Sequence, residues 1–267
     1  MLLRPLLFMG LTLAAPPALA GATPWQDIAP EARARLISSD TLAGGTLLAG
    51  LEIDMPAGTH VYWRVPGESG IPTVFDFSGS TNLGAPAVDW PHPSVDHAAG
   101  LTDYVYRGPV VIPIELQPGQ GTGTLSASVT MGVCSDICVP AQAKFLLPID
   151  PAHPDSAQSI RLSQAEAQVP IAWDKPDPPF GAITATSDGL AIADPSPDID
   201  PDSLIADLGD PAILFSAPQK SPDGTLWTLQ LLGGAAGVKL EGRAVQLTFA
   251  TSMGPYSITR QIAAPAR

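Results

Sequence analysis

Short apolar or alternating runs recur along the chain, and helical periodicity is nearly absent. The runs are TLLAGLEIDM (46–55), VVIPIEL (110–116), TLSASVTMGV (124–133), AKFLLPI (143–149), TLWTLQLL (225–232), AVQLTFAT (244–251) and YSITRQI (256–262). Alternation with a period of two buries one face of a strand, and short strands parted by turn residues are the pattern of β-sandwiches. Thirty prolines and 25 glycines supply the turns. One segment departs from this pattern. PDSAQSIRLSQAEAQVP (154–170) offers Asp155 or Ser156 as N-cap, then good helix formers, then a proline stop, and predicts a helix of two or three turns. PIAWDKPDPPFG (170–181) follows as a proline-rich linker. The predicted architecture is all-β, with two sandwich domains over 21–150 and 172–267. A helix and linker over 151–171 join them. A single larger sandwich with an inserted helix is the other arrangement this pattern allows. No internal sequence repeat is visible.

The N-terminus changes the picture of where the chain works. MLLRPLLFMGLTLAAPPALA has one early charge, Arg4, then an apolar run, then Ala18-Leu19-Ala20 with small residues at the −3 and −1 positions of a cleavage site. It reads as a cleavable secretory signal peptide over residues 1–20, its run too short to span a bilayer. No later run reaches about 18 apolar residues without charge, so the mature protein is expected to be exported, with no membrane insertion. The net charge of −13 and pI near 4.4 argue against nucleic acid and anionic membrane surfaces as partners. An exported protein can hold disulfides, but two cysteines are not a disulfide scaffold.

Those two, Cys134 and Cys138, lie in MGVCSDICVPA (131–141). The alternation before Cys134 and the extended pattern after Cys138 predict a hairpin with the loop Ser135-Asp136-Ile137. Facing residues at such a mouth are close enough to bridge. The loop is so short that a bridge across it contributes only about 2 kcal/mol. A bridge at a loop tip is instead accessible to other thiols. Three readings follow: a redox-active pair, an inert local bridge, or two thiolate ligands of a metal. For the last, His60, His92, His97 and His153 are the only histidines, and none stands at zinc-motif spacing. A cuprous ion needs only two or three soft ligands, which the cysteines with His60 or His92 would supply in a copper-handling protein.

VCSDICVPA, together with HVYWRVPGESGIP (60–72) and WPHP (90–93), resembles the N-terminal periplasmic domain of the DsbD/ScsB thiol:disulfide interchange family, whose ScsB branch is associated with copper sensitivity. The motif match covers about residues 46–147. The resemblance implies an immunoglobulin-like, periplasmic domain that exchanges thiols and disulfides without a cofactor or metal. It implies as partners a thioredoxin-like protein and a membrane electron donor. It also implies that Cys138 forms mixed disulfides and Cys134 resolves them. The family's transmembrane conduit and thioredoxin-like domain have no counterpart in this sequence. In the family a loop caps the cysteine pair, and 90–110 is the candidate here.

Other residues have two readings each. His60, Tyr62 and Trp63 form an active-site wall or belong to the ordinary sandwich core. Glu68 is a proton acceptor for a thiol or a solvated acid. His92 belongs to the cap segment. Asp136 disfavours a neighbouring thiolate or is a turn residue. The acids of DPSPDIDPD (194–202) read as a solvated loop without EF-hand spacing.

Overall fold

Strand alternation decides which residues enter the two cores. The computed structural model describes residues 21–97, 100–153, 156–210, 212–232 and 237–264. The expected signal peptide and the N-cap candidate Asp155 lie outside them. One sheet has the order β1(Gln26–Ala29), β2(Ala32–Ala43), β3(Thr46–Asp54), β9(Val110–Leu116), β6(Ala87–Val88). The sheet facing it has the order β11(Cys138–Ile149), β10(Gly123–Cys134), β4(His60–Gly67), β8(Asp103–Arg107), β7(Ser94–Asp96), with β5(Val74–Asp76) also on β10. Leu125, Ala127, Val129, Met131 and Val133 point inward from β10 and meet Leu47, Ala49, Leu51 and Ile53 of β3 in one core. The polar residues between them face the other way, as the two-residue period requires.

A second pair of four-stranded sheets encloses its own core. One comprises β12(Ile171–Ala172), β19(Gly254–Gln261), β18(Ala244–Thr251) and β15(Ile199–Asp207). The other comprises β13(Ile183–Ala185), β14(Gly189–Ala193), β17(Leu226–Gln230) and β16(Gln219–Lys220). Phe180, Phe215, Trp227 and Phe249 fill the space between them. The fold is thus all-β and sandwich-like throughout.

The expected helix is α1(Ser159–Glu166). Gln158 occupies its N-cap without a side-chain bond, so Ser156 does not cap it. Two turns without a cap are marginal alone, and packing holds them: Leu162 is fully buried against Ala22 and Ile37. Gly50 permits this docking, since a Cβ there would stand 2.9 Å from Leu162 Cδ2.

Two segments expected as loops contain strands. Residues 90–110 carry β7 and β8, which extend the sheet of β4. Residues 194–202 run into β15, where Ile199 is buried and pairs with Thr251. In both, turn-like prolines and acids masked strands whose pairing is long-range.

The two sandwiches meet along β4, β7 and β15. Arg64 of β4 pairs with Asp207 and donates to Gln246 Oε1 at 2.8 Å, with its guanidinium over the Trp63 ring. Ile205 of β15 packs into the first core. His92, expected beside the cysteines, lies instead at this junction: its backbone N donates to Gln168 O, and its Nε2 is 3.1 Å from Ser203 O. Burial holds the His92 imidazole below its usual pKa, against a raising influence from the Ser203 carbonyl. The folded state therefore takes up the proton less readily than the unfolded chain. Stability is full above the unfolded value near 6.5 and falls as pH drops through the window beneath it. We expect His92→Gln to flatten the decline in thermal midpoint between about pH 6.5 and 5. An unchanged slope would show that His92 does not set it.

Candidate functional site

The β10–β11 hairpin pairs residue for residue from Gly123↔Ile149 to Cys134↔Cys138, so both cysteines lie at its mouth. They form a disulfide. The loop between them is Ser135, Asp136 and Ile137, with Ser135 N donating to Ile137 O at 3.2 Å. The two sulfurs sit in different surroundings. Cys134 is 1% exposed, while Cys138 is open to solvent and Ile137 beside it is 72% exposed.

β4 supplies the wall. Its alternation sends Tyr62 toward the cysteines and Trp63 into the core. Tyr62 clusters with Val105 and Cys134. Its hydroxyl donates to Cys134 Sγ at 3.3 Å and lies 3.6 Å from Cys138 Sγ. A phenol placed on both sulfurs can hydrogen-bond the thiolate that appears when the disulfide opens. Trp63 is 2% exposed and packs edge-on to Tyr104, which settles it as a core aromatic. His60 pairs with Cys134 across the strands, and its ring meets Tyr62 edge-on at 5.2 Å. Burial and then the Arg107 charge lower the His60 pKa, which favours the neutral ring.

A loop over 67–73 covers the Tyr62 ring. A Cβ on Gly70 would stand 2.1 Å from Tyr62 Cδ1, and one on Gly132 would stand 3.2 Å from Cδ2, so glycines sandwich the ring. Asp103 anchors the loop, accepting from Ser69 N at 2.9 Å and from the Ser69 hydroxyl. Gly67 allows this approach with φ of 92°, where a Cβ would collide with Thr102 O. Glu68 accepts from Thr102 N at 2.7 Å and so ties the loop down. Asp136 is an exposed turn residue. Residues 67–73 thus cover the Tyr62 ring, and the 90–110 segment supplies β8, against which that loop rests. Gly67, Gly70, Asp103 and Gly132 were not singled out by sequence reasoning. The signal available was the pair of glycines in GESG (67–70), which marks a loop tip.

Among the described residues, no group of three His, Cys, Asp or Glu side chains is arranged to hold a metal. No described helix is long and apolar enough to cross a membrane.

Gly70→Ala should force the ring and loop apart, because the new Cβ would stand 2.1 Å from Tyr62 Cδ1. We expect a loss of about 1–3 kcal/mol in urea unfolding, with faster reduction of the disulfide by a dithiol. Wild-type values for both would mean that the loop yields without cost.

A solvent-facing disulfide at a hairpin mouth, backed by a phenol, is an arrangement suited to thiol–disulfide exchange. Residues 26–149 match the family described as thiol:disulfide interchange protein DsbD, N-terminal. The crystal structure of the N-terminal periplasmic domain of ScsB from Proteus mirabilis superposes with a TM-score of 0.71. It shares 22% identity and covers 91% of this chain and 99% of that one, so both sandwiches share its fold. No curated protein matches the chain in sequence.

Proposed function

We propose that this protein is a periplasmic thiol–disulfide exchange module that relays electrons through Cys134 and Cys138. Its partners are a thioredoxin-like protein and a membrane electron donor. The observation that carries this reading is the asymmetry of the pair, an exposed Cys138 bonded to a buried Cys134 beneath the Tyr62 hydroxyl. A partner thiolate attacks Cys138 Sγ, the Sγ–Sγ bond breaks, and Cys134 leaves as a thiolate that accepts the Tyr62 hydrogen bond. The second thiol of the partner then attacks the partner's own sulfur in the mixed disulfide. Cys138 is released reduced, and the partner is oxidised by two electrons. In the other direction the Cys138 thiolate attacks a substrate disulfide, and Cys134 closes the bond again. On this reading residues 21–150 carry the chemistry and 172–267 support them.

The test is redox titration of the mature protein against dithiothreitol buffers. We expect full reduction without unfolding, at a potential above about −300 mV, and a stability loss on the order of 2 kcal/mol. A disulfide that resists reduction until the protein unfolds would establish an inert bridge instead.

A further inference from the structure

Three arginines of this acidic protein converge away from the cysteines. A concavity of about 550 Å³ opens between α1 and the outer face of the β2–β3 sheet, lined by Trp25, Arg33, Arg35 and Arg161 among others. Arg33 and Arg35 both place their guanidinium over the Trp25 ring, at 4.7 and 4.4 Å from its centroid. Glu52 accepts from Arg35 Nε at 2.6 Å and from Arg161 Nη1 at 2.8 Å, so both its oxygens are used. Arg33 is paired with Asp54. Three cations face two anions, leaving the pocket positive although the chain carries −13.

Donor capacity is left over. The Arg35 side chain is only 10% exposed, yet it gives the protein Nε alone, and its Nη atoms are not among the sealed, unpartnered atoms. They therefore open onto the concavity. Arg161 likewise commits only Nη1, and the Gln164 amide on the next turn of α1 has no side-chain partner among the described residues. A largely desolvated guanidinium, fixed by a carboxylate on one edge and an aromatic face, presents its other edge as a ready two-pronged donor. Planar oxyanions fit such an edge, and the low exposure strengthens the bond.

We infer that this pocket binds a carboxylate, held by the free edge of Arg35, which lies over Trp25, and by Arg161. The source is either a small organic acid or the free C-terminus of a peptide, and the two share this chemistry. The site stands apart from the disulfide and is independent of the redox reading.

The experiment is calorimetric titration of the mature protein, residues 21–267, with acetate, succinate and a Gly-Gly-Leu peptide in free and C-amidated forms. Saturable binding of succinate or acetate without the peptide assigns a free small acid. Binding of the free peptide that amidation abolishes assigns a chain terminus. Arg161→Gln, exposed and therefore tolerable to the fold, should weaken either by about tenfold or more. Arg35→Lys, which keeps the charge and loses the planar fork, should do likewise. Each variant is first checked for a wild-type circular dichroism spectrum. No saturation of any free carboxylate below about 10 mM, or binding indifferent to both substitutions or to amidation, would overturn the inference.

Discussion

Cys134→Ala should accumulate a covalent complex with a thioredoxin-like protein, and Cys138→Ala should not. Cys138 is solvent-facing beside the exposed Ile137, whereas Cys134 lies beneath Tyr62 with 1% exposure. Access governs which sulfur is attacked in thiol–disulfide exchange. The probe is a thioredoxin-like protein with one active-site cysteine, activated as its thionitrobenzoate disulfide. The Cys138 thiolate displaces thionitrobenzoate and forms the mixed disulfide. In the wild type, Cys134 then attacks Cys138 Sγ, restores the internal bond and releases the partner as a thiol. Without Cys134 that last step is missing. Non-reducing electrophoresis should show roughly tenfold more complex, or better, for Cys134→Ala than for Cys138→Ala. Equal trapping by the two variants would remove the assignment of roles.

Arg64→Ala should cost about 3 kcal/mol in urea unfolding, because it breaks an ion pair whose carboxylate is buried. Asp207 is 3% exposed, and its charge is compensated by Arg64 from the other sandwich. Removing the guanidinium leaves a buried carboxylate whose remaining partner among the described residues is Gly209 N, from which it accepts at 2.7 Å. It also removes the stacking over Trp63. The damage is mainly that of an uncompensated charge, so Asp207→Asn added to Arg64→Ala should recover a substantial part of it. A loss within about 0.5 kcal/mol for Arg64→Ala would place this pair with ordinary surface ion pairs. The junction would then be held by Ile205 and its apolar neighbours.

These expectations draw on different layers of the chain. The hairpin was legible because Leu125 to Val133 alternate without interruption and the loop is three residues long; local pattern and turn length fix register. Strands β3, β9, β18 and β19 were legible for the same reason. β7, β8 and β15 were not. Asp103 to Tyr106 are buried on both faces, and Ile199 sits among acids and prolines, so neither shows the one-sided alternation by which a strand is read.

The site divides along the same line. The sequence alone predicted that two cysteines would face each other across a tight loop, and it left the aromatics of HVYW either beside them or in the core. It could not separate Tyr62 from Trp63, because period two only says that they point opposite ways. Which way each points depends on the sheet that β4 joins. Tertiary packing put the Tyr62 hydroxyl on both sulfurs, buried Cys134 while leaving Cys138 open, and moved His92 to the junction with the second sandwich. It also gave Gly70, Gly132 and Asp103 their roles, because close approach to a ring or an anchoring bond across 34 residues exists only after long-range strands have paired.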